Sequence, residues 1–301
     1  MGTTHDQPKV TAVIPIFNNR DETLAFLGSM ADVTYDNLSL TVVDDGSTDG
    51  SAEAIAERFP AVKILRGDGN LWWSGATNLG VKDALKCDAD FVLTINNDNV
   101  VESGFIEPLV ESAVNNPRSM VNSLIVDCQE RDFITSFGGE IEWSVGEIRD
   151  RTSKRDSFVP DQLKEGDFLT GNATLVPAHA YREIGLYDQI SCPQYLGDAE
   201  FSLRARKAGY RLIVEPRSRI LNKSAISGGT AVLNRLSATE LVTDRRSPFY
   251  SKANYKVYRD YCPYHPFPLF LAIRYARLIY TLFRRRFIDG KRRFFLRGEK
   301  P

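Results

Sequence analysis

Three stretches of this chain put carboxylates where an apolar strand ends or a helix begins. Residues 42–49, VVDDGSTD in sequence from Val42, close an apolar run with Asp44 and Asp45. Residues 93–99, LTINNDN, close another with three asparagines around Asp98. Asp198 opens the run DAEFSLRARKAGY, with Glu200 two residues on. The carboxyl ends of strands in an open α/β sheet are where such sheets bind ligands. A carboxylate there can accept from a pyrimidine N3–H or from ribose hydroxyls. Asp98 is a hard oxygen ligand for a divalent cation, and Asn96 could add a carbonyl. A cation so held neutralises charge on a departing diphosphate. Asp198 can act as a general base beside a hydroxyl; Glu200 points another way around the helix, so the two are not a paired-carboxylate site. Each stretch also has a local reading. Asp44 and Asp45 can form a capping turn, residues 96–99 an amide-rich turn with no ion, and Asp198 a helix cap.

The elements that must position these residues follow from the hydrophobic pattern. KVTAVIPIF (9–17) is a β-branched strand in which Pro15 marks the end, followed by a polar turn. Strands are also expected at 38–45, at VKIL (62–65) and at DFVLTI (90–95). Helices are expected between them, at ETLAFLGSM, at DGSAEAIAERF, at 74–85 and at GFIEPLVESAVNN. Strands alternating with helices over about 120 residues imply a mainly parallel sheet covered on both faces. After SLIVD the rhythm changes: FGGEIEWSVGEIR reads as a hairpin, 168–177 as a strand, AHAYREIG and 198–210 as helices, and RLIVEP as a strand.

The chain of 301 residues is 43% hydrophobic and 26% charged, the composition of a globular protein. Its net charge of −1 hides a division. Residues 271–301 hold ten Lys/Arg against two acids, whereas the rest carries 28 basic and 37 acidic residues. A basic arm on an acidic body implies an anionic partner for the arm. The run Phe267–Phe283 spans about 26 Å as a helix, slightly short of a bilayer, with Arg274 and Arg277 near its centre. Arg274, Arg277, Thr281 and Arg284 form one polar stripe on an otherwise apolar helix. That helix either lies in a membrane surface or packs on the domain, and its long apolar stripe suits lipid better than nucleic acid. Cys87, Cys128, Cys192 and Cys262 form no CxxC pair, which argues against zinc and a disulfide framework and fits a reducing cytosol. No apolar leader precedes Lys9. His5, His179 and His265 have no evident chemical setting.

The segments VTAVIPIFNNRDETLAFL, LTVVDDGSTDGS, GNLWWSGATNLGV, DFVLTINNDNVV, FLTGNATLVPAHAYREIGLYD and GDAEFSLRARKAGYRL, in this order, resemble glycosyltransferase family 2. The resemblance covers about residues 9–225. It implies a GT-A fold, a Rossmann-like α/β domain with a mixed, mainly parallel sheet, and an inverting, nucleotide-sugar-dependent activity. It divides the chain into a flexible start (1–8), a GT-A domain (9–225, donor half about 9–127, acceptor half about 128–225) and a helical, basic, membrane-proximal extension (226–301). The Asn-Asn-Asp stretch is similar to enzymes that add sugars, often rhamnose, to bacterial surface polysaccharides such as O-antigen and capsule. The implied donor is dTDP-rhamnose or a UDP-hexose. The implied acceptor is a glycan or lipid-linked glycan at the cytoplasmic face of the membrane.

By position, the resemblance makes Asp198 the catalytic base and Asp45, with Asp44 beside it, the reader of the base. It puts Pro15, Phe17, Asn96 and Asn97 along the nucleotide, although Asn97 and Asn99 also read as turn formers. Asp98 becomes the ligand for Mg²⁺ or Mn²⁺, with Asn96 and Asn222 as further candidates. Trp72 and Trp73 offer aromatic faces to a sugar or serve as core and lid. Asn78, on the same helix, is expected to face the donor diphosphate, and Tyr187 and Asp188 to shape the acceptor side. Arg204 and Arg206 belong on the outer face of the last helix. Three departures stand out: Gly197 where the family usually has Glu, Asn96 where it has the first Asp of DxD, and Asn222 nearest to where many relatives carry a metal-holding His. They leave open a catalytically weakened binding module with a regulatory or scaffolding role. The absence of GxGxxG after the first strand and of GxxxxGK[ST] argues against a dehydrogenase or a P-loop enzyme.

Overall fold

The computed structural model describes residues 7–154, 162–223 and 236–297. The expected flexible start, through Asp6, and the basic side chains beyond Arg284 lie outside the described residues and side chains.

The parallel half begins with β1 (Val10–Ile16), α1 (Arg20–Met30), β2 (Leu38–Asp44), α2 (Ser51–Arg58), β3 (Lys63–Arg66), α3 (Trp72–Lys86) and β4 (Phe91–Thr94). In space the strands run β3–β2–β1–β4, all parallel. β1 and β4 are buried almost throughout because helices cover both faces, which explains their continuous apolar runs. β2 and β3 lie to one side of β1 and β4 to the other, so the connections diverge between β1 and β4. That divergence opens a crevice at the strands' carboxyl ends.

The sheet then changes direction. β5 (Asn99–Val101), α4 (Ile106–Asn115) and β6 (Ser119–Asp127) lead to β7 (Phe133–Ser136) and the β8 (Gly139–Glu142)–β9 (Glu147–Asp150) hairpin. Short β10 (Ser153–Lys154) pairs with β7, and β11 (Lys164–Glu165) pairs with the later β13. β12 (Thr174–Pro177) inserts antiparallel between β4 and β6. The expected 168–177 strand is thus only its last four residues. Upstream, Ala173 takes a left-handed φ of 55° and Asn172 turns its amide into the site, which breaks the extended run. After α5 (Ala178–Ile184) and α6 (Gly197–Lys207), β13 (Arg211–Asn222) runs parallel to β6 and antiparallel to β5.

The C-terminal elements are α7 (Ala238–Thr243), α8 (Ser251–Tyr261) and α9 (Phe267–Arg297). Ala253 and Val257 of α8 share an apolar cluster with Phe168, Leu196, Ala199 and Leu203, so this segment is packed against α6. Arg274 of α9 is 6% exposed: it donates to Asn254 Oδ1 at 2.5 Å and to Gly146 O at 3.1 Å, with its guanidinium over Phe249. Arg277 reaches Val145 O and Glu147. The polar stripe therefore splits, with Arg274 and Arg277 turned to the domain and Arg284 exposed. The opposite face leaves Leu269, Ile279, Tyr280 and Phe283 exposed. Among the described residues no helix is long and apolar enough to cross a membrane.

Candidate active site

A cleft of about 600 Å³ opens at the divergence point. Pro15, Ile16 and Phe17 form its floor beside β1, and Asn96, Asn97 and Asp98 its edge after β4. Asp45, Trp72 and Trp73 stand on one side, and Gln194, Tyr195 and Arg246 close it from the other half of the molecule. Phe17 is 59% exposed at the mouth.

Asp45 organises this wall. Its Oδ1 accepts from Gly69 N–H, and its Oδ2 from the N–H groups of Leu71 and Trp72, all at 2.9 Å. Those bonds hold the 69–72 loop and deliver Trp72, at a left-handed φ of 57°, to the start of α3. Three of the carboxylate's roughly four acceptor sites are thereby used. Asp44 is fully buried behind the cleft, accepting from Ser47 N–H and pairing with Arg66. Its position abreast of Ile16 in the β1–β2 register turns it into the sheet.

The amide-rich turn after β4 is built from below. Asn99 is fully buried and donates to Asn96 O at 2.8 Å and to Asn172 Oδ1 at 2.7 Å. Asn222, its β13 partner in register, donates to Asn99 Oδ1 at 2.9 Å. Asn222 therefore sits behind the turn, and its amide supports Asn99 without lining the cleft. Asn97 donates to Thr23 Oγ1, tying the turn to α1. Asn96 Oδ1 accepts from the Trp73 indole N–H at 3.0 Å. The outcome of this scaffolding is Asp98, whose buried Oδ1 has no partner among the described residues. A buried carboxylate oxygen left unpaired is costly, and in a cleft it suits a cation. Among the described residues no cluster of three His, Cys, Asp or Glu is suited to a metal, so any ion there would take its remaining ligands from carbonyls, water or a bound molecule.

Asp198 stands at the start of α6, entered through Leu196 at a left-handed φ of 62°. Its Oδ2 accepts from Gly171 N–H at 3.1 Å and its Oδ1 from Ala199 N–H at 2.8 Å. Desolvation by the surrounding protein outweighs these bonds and raises its pKa above the ordinary aspartate value. Trp73 connects this base to the turn: its ring lies so close over Gly171 that a Cβ there would come within 2.2 Å of it. The same packing explains Gly197. A Cβ at 197 would stand 2.4 Å from Ser74 Oγ and 3.0 Å from Cys192 O, groups already bonded to each other at 2.6 Å. The Glu that the family resemblance leads one to expect here would meet these groups from its Cβ outward. Glu200 is buried and structural, paired with Arg204 and accepting from Tyr261 OH.

Three expected contacts lie elsewhere. Asn78 is 2% exposed and does not line the cleft; its amide bridges to Tyr187 N–H, Tyr187 O and Gln189 Oε1, sewing α3 to the segment before α6. Tyr187 is core, edge-on to Trp73 and against Phe201, and burial pushes its hydroxyl up to about 12. Asp188 caps the next turn through Ile190 and Ser191 N–H. Arg204 is also not an outer-face residue: it donates to Leu186 O as well as Glu200, whereas Arg206 is exposed and pairs with Asp167.

Two residues had no signal in the sequence. Asp150, at the end of the β9 hairpin strand, accepts from Ser136 Oγ at 3.0 Å. Solvent reaches it, yet crowding by protein, with the Asp198 charge nearby, pushes its carboxyl up to about 6. Arg246 enters the cleft from the segment after α7, where no strand end or motif marks it. Left-handed φ angles also gather here: Asn18, Asn19, Trp72, Ala173 and Leu196 border the site, and of the described non-glycine residues with such angles only Asp88 is remote. Such conformations cost about 1–3 kcal/mol each and cluster at functional sites.

Comparison with known proteins agrees with this geometry. Residues 11–165 match the model for Glycosyl transferase family 2. An N-acetylglucosaminyl-diphospho-decaprenol L-rhamnosyltransferase of Mycobacterium tuberculosis is 26% identical over 232 residues, 71% of this chain and 75% of that protein. The mannosyltransferase PcManGT of Pyrobaculum calidifontis, solved with GDP-Man and Mn²⁺, superposes with a TM-score of 0.57 at 17% identity, over 89% of this chain and 69% of that one. GalNAc-T7, solved with UDP, GalNAc and Mn²⁺, gives a TM-score of 0.58 at 16% identity, over 90% of this chain but only 55% of that one. The two structural likenesses establish the fold, the GT-A arrangement of a mixed central sheet flanked by helices.

Proposed function

Because the chain belongs to glycosyl transferase family 2, we propose that it is an inverting glycosyltransferase that moves a sugar from a nucleoside-diphosphate donor to a hydroxyl of a lipid-linked glycan. The observation that carries this reading is Asp198: a carboxylate held by two N–H groups, raised in pKa, and joined through Trp73 to the turn that bears Asp98. Asp198 takes the proton of the acceptor hydroxyl as its oxygen bonds to the anomeric carbon. The bond from that carbon to the diphosphate breaks on the opposite face, and the nucleoside diphosphate departs. One base and one displacement invert the centre, and no protein nucleophile is required.

In this reading the base of the nucleotide lies near Phe17 and Asp45, whose remaining lone pair is available to it. Trp72 and Trp73 flank the sugar. Asp98 Oδ1, with Asn96 beside it, would hold Mg²⁺ or Mn²⁺ together with the donor's phosphates, lending positive charge to the leaving group. The rhamnosyltransferase relative supports rhamnose as the sugar and a polyprenyl-diphosphate glycan as the acceptor; the donor is then dTDP-rhamnose, as the sequence resemblance implies, with a UDP-hexose as the competing donor.

The acceptor's lipid would bring the reaction to a membrane surface, and α9 supports that placement. Arg274 and Arg277 clamp one face to the domain, and Leu269, Ile279, Tyr280 and Phe283 point away from it. The strongly basic composition of residues 271–301 complements anionic headgroups, at about 1 kcal/mol per basic residue near the surface. The full chain is expected to pellet with anionic vesicles and a chain truncated before Phe267 to remain in solution; equal pelleting ends the membrane placement. The donor is tested by a thermal-shift panel of UDP-, GDP- and dTDP-sugars with and without Mg²⁺ or Mn²⁺. A raised midpoint with one base is expected, and no shift with any of them would remove the glycosyltransfer reading.

A further inference from the structure

A nucleoside diphosphate brings roughly two negative charges into a cleft whose lining includes the carboxylates Glu22, Asp45 and Asp98. Among the described lining residues Arg246 is the single Lys or Arg. It is held in place locally. A capping box between Ser237 and Glu240 starts α7, and the helix ends at Asp244. Arg246 N–H donates to Asp244 Oδ1 at 2.8 Å, and its guanidinium lies along the same carboxylate, Nη2 to Oδ2 at 2.6 Å and Nε to both oxygens at 3.1 Å. That pairing engages one edge of the fork. Its Nη1 hydrogens have no partner among the described residues, and the side chain is 62% exposed. Across the cleft, the buried Trp72 indole N–H also has no partner among the described residues. A free guanidinium edge thus enters a cleft whose lining residues also include Trp72, with its buried unpartnered indole N–H, and Asp98, with a buried unpartnered carboxylate oxygen.

We propose that Arg246 is a diphosphate-binding residue of the donor site, its free guanidinium edge taking phosphate oxygens while Asp244 keeps the side chain oriented. This inference rests on the glycosyltransfer reading and deepens it. A planar guanidinium offers paired N–H donors to phosphate oxygens, which an ammonium does not reproduce. Arg246 would also carry part of the charge stabilisation that one carboxylate ligand, Asp98, secures weakly through a cation. As the bond to the anomeric carbon breaks, charge grows on the diphosphate and the Arg246 bonds strengthen with it.

The test is calorimetric titration of the full chain with UDP, GDP and dTDP and with the matching nucleosides, with and without Mn²⁺, for wild type, Arg246→Ala and Arg246→Lys. The Ala variant is expected to lose about 10- to 100-fold in affinity for the diphosphate that wild type binds, the span of a charge-assisted hydrogen bond. Nucleoside affinity should stay unchanged, the Lys variant should recover part of the loss, and the loss should be largest without Mn²⁺. An exposed pair such as Arg246–Asp244 contributes little to folding, so the thermal midpoint should not move. Wild-type affinity retained in Arg246→Ala overturns the assignment, as does an equal loss for nucleoside and diphosphate. Failure of the wild-type chain to bind any of the three diphosphates would instead overturn the glycosyltransfer reading on which the assignment depends.

Discussion

The two sides of the cleft are made in different ways. On the parallel side, Phe17, Asp45 and Asn96–Asp98 are set directly by the ends of β1, β2 and β4, and each lies within a few residues of its strand. On the other side, Gln194 and Arg246 line the cleft from the segment before α6 and a post-helix turn. Asp198 and Gly171, which are not among its lining residues, come from a helix start and an irregular segment. Asp244 holds Arg246 locally, whereas the others are located by contacts across the chain: Gly171 N–H on Asp198, Gln194 Oε1 on Trp73 N–H, and Ser74 Oγ on Cys192 O. Strand-end side chains are placed by backbone direction, which a short stretch encodes. Apart from Arg246, residues on the second wall are placed by partners up to a hundred or more residues away. α3 belongs to both sides, since its first turn meets Asp45 and the 192–194 segment alike.

That contrast can be broken at the base first. Asp198→Asn should lower the transfer rate by about 10²- to 10⁴-fold, the usual contribution of a general base, while nucleoside-diphosphate affinity stays near that of wild type. Steady-state kinetics with equilibrium binding decides it, and near-normal turnover would remove Asp198 from the mechanism.

Next in size are two packing tests, one on each wall. Asn172→Ala removes the acceptor for both Asn96 N–H and the Asn99 amide and should cost about 1–3 kcal/mol in denaturant unfolding. It should also weaken donor binding, because the turn bearing Asp98 loses its support; unchanged donor affinity would separate the amide network from the site. Gly197→Ala should cost a similar 1–3 kcal/mol through overpacking against Ser74 and Cys192. If the alanine variant is as stable as wild type, steric exclusion is not the reason that Glu is missing here.

The smallest effect is a trend with pH. Burial raises the Asp198 pKa above its unfolded value of 3.8. Its contribution to stability is therefore complete below that value and is lost as pH rises through the folded pKa. Asn at this position does not ionise. The midpoint of Asp198→Asn minus that of wild type should become more positive from about pH 4 to about pH 8 in scanning calorimetry. A flat difference would mean that desolvation does not govern this carboxylate.

Much of the first wall was legible in the sequence because its signals are local. The alternation of apolar runs and polar turns sets the β1, β2 and β4 ends, and the turn chemistry of DDGS and INNDN marks the loops that leave β2 and β4. Asn78 shows the limit. A polar residue on the helix after Trp73 reads as a donor contact, yet α3 turns it toward Tyr187 and Gln189, where its amide is fully used. Arg274 shows it again: on an apolar helix it reads as one member of a water-facing stripe, but Asn254 and Gly146 accept its hydrogen bonds in the domain.

By itself the sequence determined the order of strands and helices, the family, and the carboxylates that end strands, because hydrophobic period and turn propensity act over a few residues. Only the tertiary structure decided which of those carboxylates remain available. Asp45 is largely taken up by the 69–72 loop, Asp44 by Ser47 and Arg66, and Asp98 keeps a free oxygen. It also brought Arg246 to the cleft and Asp150 within electrostatic range of Asp198, and left no space beside Gly197. Those outcomes depend on which donors and atoms the folded chain brings within about 3 Å, and hydrogen bonding and excluded volume at that range are properties of the packed molecule.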